Sequence, residues 1–265
     1  MLPGTKRVVI LSYVMRHITK ITARGIAPFI FPIMILSGST LSASVLLLES
    51  FETDGDGSRY SVTGGFTDGS DDYFTRTDGF TEASGIPGFT GFTGSYYFAA
   101  EDIDAAENVS GIANLDFSSI SLTSFPAVQI SLDMGAGSDS AFDSVDDYLL
   151  VQYRVDSGEW NTALSFENNG QTFNGPLLQD TDFDGVGDMH ELGLAMQTIS
   201  SAVIPVSGSF LDVRIDTLMT SGSEAIAFDN LQVVGVPEPN TTAAVFGIAS
   251  LILILSRRFL PRRED

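Results

Sequence analysis

Alternation of hydrophobic and polar residues dominates the central part of the chain. In residues 127–134, Val128, Ile130, Leu132 and Met134 alternate with polar residues, so one face of an extended strand is apolar. Similar segments recur, and the strands predicted from them are residues 45–51, 59–62, 96–99, 127–133, 148–156, 210–218 and 225–234. Only residues 190–200 have a helical period before the C-terminal region. The pattern therefore predicts an all-β sandwich.

Glycine-rich segments separate these strands. Ser157 and Gly158 follow the strand at 148–156 and predict a tight hairpin. The triplet Gly-Phe-Thr occurs four times between residues 63 and 95, at irregular spacings that exclude a solenoid repeat. We predict long loops and short strands there, held by buried phenylalanines, with an exposed aromatic surface that binds a ligand as the alternative.

The first 44 residues have the composition of an export signal. They contain five basic and no acidic residues, then an apolar stretch at 25–36, then a zone of small residues. This order predicts a signal peptide over residues 1–44, with cleavage near Ala43 or Ser44. The alternative is an N-terminal membrane anchor, but Pro28 and Pro32 interrupt the short apolar run.

The C-terminal region combines an extended motif, an apolar run and a basic tail. The motif is Val236-Pro237-Glu238-Pro239, whose prolines exclude a helix. Residues 241–256 are predicted to form a single transmembrane helix of about 24 Å at about 1.5 Å per residue, slightly shorter than a ~30 Å hydrocarbon core. The basic tail, residues 257–263, predicts a cytoplasmic C-terminus and contains Arg257, Arg258, Arg262 and Arg263.

This arrangement resembles the PEP-CTERM sorting domain of Gram-negative bacteria, here residues 236–265. The resemblance implies that the chain is a substrate of an exosortase, a membrane cysteine protease that cuts near the Pro-Glu-Pro motif. It also implies a precursor anchored in the inner membrane and a mature protein at the cell surface or in the biofilm matrix. The alternative is an ordinary single-pass anchor with a proline-rich neck.

The predicted ectodomain, residues 45–235, is strongly acidic. The whole chain has a formal net charge of −21, and the ectodomain contains four arginines and no lysine. Such a surface repels nucleic acid and attracts divalent cations, so we expect no nucleic-acid partner. The chain has no cysteine, so no disulfide contributes to its stability.

An aspartate-rich segment at 180–191 has the spacing of a calcium-binding loop. Ca²⁺ prefers six to eight oxygen ligands, and a glycine after the fifth position allows the sharp turn that brings the ligands together. Gly185 occupies that position, and the segment resembles an EF-hand loop. It departs from that loop in having Gly187 at position 8 and no clear helix before Asp180. The alternative is a solvated acidic turn. The predicted ligands are Asp180, Asp182, Asp184, the Val186 carbonyl, Asp188 and Glu191.

The two ends of the ectodomain carry a second resemblance. Residues 48–56 and 227–234 are similar to the first and last strands of jelly-roll modules of the concanavalin and carbohydrate-binding type. The resemblance implies a jelly-roll sandwich and a structural calcium bound by Glu52, Asp54 and Asp229.

Little in the sequence points to catalysis. The two histidines, His17 and His190, lie in the signal region and in the calcium loop, so no histidine is left to activate a nucleophile. We predict a non-catalytic surface protein that is stabilised by calcium and binds exopolysaccharide. The alternatives are a glycoside hydrolase or polysaccharide lyase on the same fold, and a purely structural surface protein. Trp160, Tyr96 and Tyr97 are predicted to pack in the core or a hairpin, with a sugar-stacking platform as the alternative.

Overall fold

The computed structural model describes residues 42–137, 140–144 and 146–237, and these residues form sixteen β-strands and no helix. Within the same residues, no helix is long and apolar enough to cross a membrane. The predicted signal peptide and transmembrane helix lie outside the described residues. The strands are β1 Ser44–Glu49, β2 Ser61–Thr63, β3 Phe66–Thr67, β4 Tyr73–Thr77, β5 Tyr97–Glu101, β6 Ala113–Ser121, β7 Ala127–Ala136, β8 Phe142–Asp143, β9 Tyr148–Val155, β10 Asn161–Asn168, β11 Asn174–Gly175, β12 Leu177–Asp180, β13 Gln197–Ser200, β14 Ile204–Pro205, β15 Phe210–Leu218 and β16 Ile226–Val236.

The strands form two large antiparallel sheets. The first has eight strands in the order β13-β7-β16-β5-β4-β3, with β14 paired to β7 and β1 paired to β16. The second has six strands in the order β12-β10-β9-β15-β6-β2. Strands β8 and β11 form a separate two-stranded ribbon. The chain crosses repeatedly from one large sheet to the other, so strands that follow one another in sequence often lie in different layers.

The main core lies between the two sheets. In β7, Val128, Ile130, Leu132 and Met134 are each 0% exposed, which confirms the inward face predicted from their alternation. They belong to one cluster with Leu149, Val151, Val213 and Ile215 of the second sheet. This shared apolar layer makes the domain a β-sandwich, as predicted.

A second, smaller apolar cluster lies on the outer face of the first sheet. Because side chains alternate along a strand, Tyr97 and Ala99 of β5 point away from the main core. The loop between β4 and β5 covers them with Ile86 and Phe89. The phenylalanines of the four Gly-Phe-Thr triplets differ in burial: Phe89 is buried, Phe66 and Phe92 are half-buried, and Phe80 is 85% exposed. The prediction that buried phenylalanines hold this region is therefore wrong for Phe80.

Two local predictions need correction. The hairpin between β9 and β10 turns at Asp156 and Ser157, which both have positive φ, and not at Ser157 and Gly158. Gly158 instead donates its amide to the Val155 carbonyl and closes the turn. Residues 190–200, which have a helical period, contain no helix, and Gln197–Ser200 pairs as β13 with the edge of β7.

Candidate functional site

The predicted calcium loop begins at the end of β12. The carboxylate oxygens of Asp180, Asp182 and Asp184 lie within 4.8 Å of one another. Asp180 is 1% exposed and accepts hydrogen bonds from the amides of Phe183 and Gly185. Repulsion by Asp184 raises the pKa of Asp182. These contacts bring the first half of the predicted ligand set together.

The second half of the predicted ligand set has other contacts. The Asp188 carboxylate accepts hydrogen bonds from the amide and hydroxyl of Thr181 and is not part of the three-carboxylate group. Val186 donates its amide to Asp184. Glu191 is exposed, and its main-chain carbonyl accepts a hydrogen bond from Gln197. Completing the predicted calcium coordination shell therefore requires the Asp188 and Glu191 side chains to turn toward Asp180, Asp182 and Asp184.

The carboxylates predicted at the two ends of the domain bind main-chain amides. Glu52 accepts hydrogen bonds from Ser95 and Tyr96, and Asp229 accepts one from Thr93. Both therefore fix the loop that precedes β5. Burial raises the pKa of Asp229 to about 6, and Glu52 contributes to this rise.

Asp54 has a different environment from Glu52 and Asp229. It is exposed and accepts a hydrogen bond from the amide of Asp56. The three carboxylates do not form a group within 4.8 Å among the described residues. The calcium site predicted for them remains a prediction.

A third group of acidic residues was not predicted from the sequence. Carboxylate oxygens of Asp143, Asp147 and Glu224 lie within 4.8 Å of one another, and Asp147 and Glu224 are each 2% exposed. Thr220 donates its amide to both Asp147 and Glu224. Burial raises the pKa of Glu224 to about 8, and repulsion by Asp147 adds to the rise. Glu224 is far from the other two in sequence, so no local spacing could reveal the group.

The most distinctive polar surface is the outer face of the second sheet, around Trp160. The guanidinium carbons of Arg154 and Arg214 lie 4.5 and 4.6 Å from the centre of the indole ring. Asp212 holds Arg154 at 2.9 Å, and Asp116 holds Arg214 at 2.7 Å. Cation–π contact with two fixed guanidinium groups orients the ring. We call this surface the Trp160 face; it consists of Asp116, Gln152, Arg154, Trp160, Asp212 and Arg214.

Strand register places polar residues in a row across this face. Arg214 lies opposite Gln152 on one side and Asp116 on the other. The row continues to Ser61 of β2 and Thr162 of β10. Five strands at about 4.8 Å spacing give a row of about 19 Å. The face is therefore elongated and rich in hydrogen-bonding groups.

A shallow groove continues the row at the β2 edge. It has a volume of about 230 Å³, and its lining includes Arg59, Ser61, Asp116 and Ser118. Asp116 therefore contacts both the groove and Arg214. The aromatic ring and the groove lie on one continuous polar surface.

A larger cleft lies between the β2 edge of the second sheet and β3 and β4 of the first. Its volume is about 530 Å³. Its lining includes the acidic residues Asp54, Asp56 and Glu82 together with aromatic residues such as Phe66. Glycoside hydrolases use a pair of Asp or Glu side chains in such a cleft.

The other two aromatic residues considered for sugar stacking differ from Trp160. Tyr97 is 2% exposed and belongs to the cluster beneath the β4–β5 loop. Tyr96 is half-buried, and the Arg76 guanidinium lies 3.6 Å from its ring centre. Trp160 belongs to neither apolar cluster. The three residues therefore do not form a single platform.

The predicted sorting motif begins at the last strand. Val236 is the final residue of β16 and pairs with Ala127. Pro237 follows it and is half-buried. The remaining residues of the motif and its basic tail lie outside the described residues; they are Glu238, Pro239, Arg257, Arg258, Arg262 and Arg263.

Comparisons with known proteins give structural similarities only. No protein-family model matches the chain, and no curated protein matches it. The K3 cleaved adhesin domain of Lys-gingipain from Porphyromonas gingivalis is similar over 73% of this chain and 99% of its own, with a TM-score of 0.42 and 13% identity.

Two carbohydrate-binding proteins are also similar. The CBM22-1–GH10 modules of xylanase 10B from Clostridium thermocellum, solved with xylohexaose, match 74% of this chain and 29% of their own, with a TM-score of 0.39 and 10% identity. TmCBM61, solved with β-1,4-galactotriose, matches 71% of this chain and 95% of its own, with a TM-score of 0.39 and 9% identity. These scores assign the chain neither a family nor a function.

Proposed function

We propose that this protein is a non-catalytic, exported surface protein that binds exopolysaccharide through the Trp160 face. The observation that carries the proposal is the half-buried Trp160 ring, oriented by two arginines whose own positions are fixed by carboxylates. An aromatic ring beside hydrogen-bonding side chains suits a sugar, which presents apolar CH groups on its faces and hydroxyls at its edges.

The shape of the face favours a polymer over a single sugar. Its polar row crosses five strands, from Ser61 to Thr162, and a groove continues it at one end. Paired charges such as Arg214 and Asp116 can bind hydroxyl groups as donor and acceptor. The acidic remainder of the surface makes a neutral polymer, or one bridged by cations, the favoured ligand.

The rest of the proposal concerns export and stability. The chain is sorted by an exosortase through residues 236–265, its ectodomain is a jelly roll, and calcium in the loop at 180–191 stabilises it. Support for calcium comes from the three aspartates gathered at the start of that loop and from Gly185, whose φ of +87° suits the sharp turn.

Binding of the purified full chain to the exopolysaccharide of the producing organism tests the proposal. Trp160→Ala should weaken binding at least about tenfold, or about 1.4 kcal/mol, because it removes the central ring. Trp160→Phe keeps an aromatic ring and should therefore lose less affinity for the polymer. Phe80→Ala, which truncates an exposed aromatic residue of the β4–β5 loop, is the matched control and should bind like the parent. Equal binding by Trp160→Ala and the parent would contradict the proposal.

A second candidate function, polysaccharide hydrolysis, is favoured by the cleft that contains Asp54, Asp56 and Glu82. It predicts that the parent releases new reducing ends from the same polymer and that Glu82→Gln abolishes the release. If the protein neither binds the polymer nor releases reducing ends from it, the remaining function is that of a purely structural surface protein.

A further inference from the structure

The outer face of the first sheet is covered over only part of its length. The loop between β4 and β5 packs over the part that contains Tyr97 and Ala99. Beside the end of β16, by contrast, Val45 and Leu48 of β1 remain 54% and 55% exposed. Large apolar side chains grouped on an exposed surface are typical of a contact site.

Strand register joins these side chains into one face. Val45 lies opposite Val234, and the next outward residue of β16, Val236, lies opposite Ala127. Directly opposed residues share a face of the sheet, and the alternate residue Val233 belongs to the main core, so the other four point outward. We call this surface the uncharged face; it consists of Val45, Leu48, Ala127, Pro205, Val234 and Val236.

The uncharged face contrasts with the rest of a chain whose net charge is −21. The segments that form it contain no acidic or basic residue, and they are residues 42–48, 122–132, 202–211 and 230–237. Charge begins again at Asp133 and Asp229, which lie opposite each other farther along β7 and β16. At the same end of the sandwich, Asp156 and Glu159 belong to the β9–β10 hairpin of the second sheet. An anionic surface therefore repels most of the domain but not this face.

Both predicted membrane signals leave the fold beside the uncharged face. Strand β1 begins at Ser44, where the predicted signal peptide ends, and Ser44 lies opposite Gly235 near the end of β16. The predicted transmembrane helix begins at residue 241, four residues after Pro237. Four residues of extended chain span at most about 14 Å. Insertion of that helix would therefore hold the face close to the bilayer, at a high effective concentration.

We propose that the uncharged face rests on the lipid bilayer in the membrane-anchored precursor. This inference rests on the proposed function, because it requires residues 241–256 to be inserted in the membrane. Lipid is the partner that fits the face, since the short tether holds the face at the membrane and anionic headgroups do not repel it. The exposed side chains of Val45 and Leu48 enter the boundary between headgroups and acyl chains, which removes them from water.

This contact would also orient the Trp160 face. The Trp160 face lies on the outer surface of the second sheet, whereas the uncharged face lies on the outer surface of the first. The outer surfaces of the two layers of a sandwich point in opposite directions. The precursor therefore presents its Trp160 face away from the bilayer, where a polymer has access to it.

Fluorescence quenching at single cysteines tests this contact, since the chain has no cysteine of its own. The full chain carrying Val45→Cys, Val109→Cys or Leu253→Cys is labelled with a fluorophore and reconstituted in phosphatidylcholine vesicles that contain a nitroxide-labelled lipid. Val109 is the matched control, because it is 97% exposed in the β5–β6 loop, at the end of the sandwich where β16 begins. Leu253 lies in the predicted transmembrane helix and reports its insertion. Lipid quenching at residue 45 should exceed that at residue 109 at least about twofold, because only the uncharged face is held at the headgroups.

A charge placed within the uncharged face should weaken the contact. Leu48→Asp, combined with the fluorophore at residue 45, should lower the lipid quenching toward the level at residue 109, because a carboxylate resists transfer out of water. Ile112→Asp adds the same charge to an exposed residue of the β5–β6 loop and should leave the quenching at residue 45 unchanged.

The outcomes separate this inference from the proposed anchor. Quenching at residue 253 without an excess at residue 45 over residue 109 would overturn the inference and leave the anchor in place. Absence of quenching at residue 253 would contradict the predicted transmembrane helix, and this inference with it. A fluorophore at residue 45 that is shielded from iodide in water but not quenched by the lipid would assign the face to a second copy of the chain.

Discussion

Glu224 is a residue whose ionisation opposes the fold. It lies buried against Asp147, and no arginine is bonded to either carboxylate within the described residues. Its pKa of about 8 exceeds the ordinary value near 4.5, so the folded chain holds this proton more tightly than the unfolded chain does. The contribution of this group to stability is therefore fully present below the unfolded pKa. It is lost progressively as the pH rises toward 8.

The replacement Glu224→Gln tests whether ionisation of this one residue lowers the stability of the fold. The parent should lose stability between about pH 5 and pH 8, and the variant should show a flatter profile because its amide does not ionise. Melting temperatures across this range measure the difference, with Glu159→Gln, an exposed acid outside the group, as the control. A profile for Glu224→Gln as steep as that of the parent would assign the pH dependence to other carboxylates.

The buried face of β7 could be predicted from the sequence, whereas the Trp160 face could not. The alternation in β7 predicted its buried face correctly because each side chain obeys the two-residue period. The face around Trp160 was not predicted, because Asp116, Arg154 and Arg214 come together only through strand register. Local spacing could identify the aspartates of the loop at 180–191, but not the partners of residues distant in sequence.

At the level of elements, β-bulges explain several missed strands. In β6, Leu115 and Phe117 follow the two-residue period, but a register shift near Ser119 moves Ile120 out of phase. In β10, a shift between Thr162 and Leu164 precedes a continuous run of buried residues. Neither strand has a simple alternation to detect. The strands recognised from the sequence are mostly those with a regular pattern.

Near its bulge, β16 changes partner along one edge, so that this edge pairs with two neighbours while the other edge pairs with β7. Residues 226–228 pair with β5, and residues 231–235 pair with β1. Between them, Asn230 has positive φ and donates side-chain hydrogen bonds to Thr93 and Asp133. The motif that resembled the last strand of a jelly roll therefore coincides with a change of strand partner.

Calcium binding to the loop at 180–191 should raise the stability of the fold. If calcium binds there with a dissociation constant of about 10⁻⁴ to 10⁻³ M, 10 mM Ca²⁺ stabilises the fold by about 1.4–2.7 kcal/mol. The melting temperature of the full chain should then rise by about 3–10 °C, and by less with Mg²⁺. The rise should shrink in the double variant Asp182→Ala, Glu191→Ala.

A charge-matched control accompanies this measurement. Glu107→Ala with Glu159→Ala removes two exposed acids outside the loop and should retain the full rise. Equal rises in the two double variants would place the stabilising calcium elsewhere.

At the scale of the whole molecule, the last strand of the fold and the predicted sorting motif meet without a linker. Val236 ends β16 and also begins Val-Pro-Glu-Pro, so the strand reaches the predicted cutting site. If an exosortase processes the chain, the mature protein from its native source should end near Pro239. Intact-mass measurement decides this, because a mass that includes Arg263 would contradict processing. Cleavage there would leave every pairing of β16 intact.

The position of β16 also bears on how the domain responds to force. This last strand is flanked by β7 on one side and by β5 and β1 on the other. When a chain held at its C-terminal end is pulled by a polymer bound elsewhere, tension enters along β16. Antiparallel hydrogen bonds lie across that direction, so they share the load and do not open one after another. If the domain binds a polymer as proposed, these hydrogen bonds would therefore resist tension applied along β16.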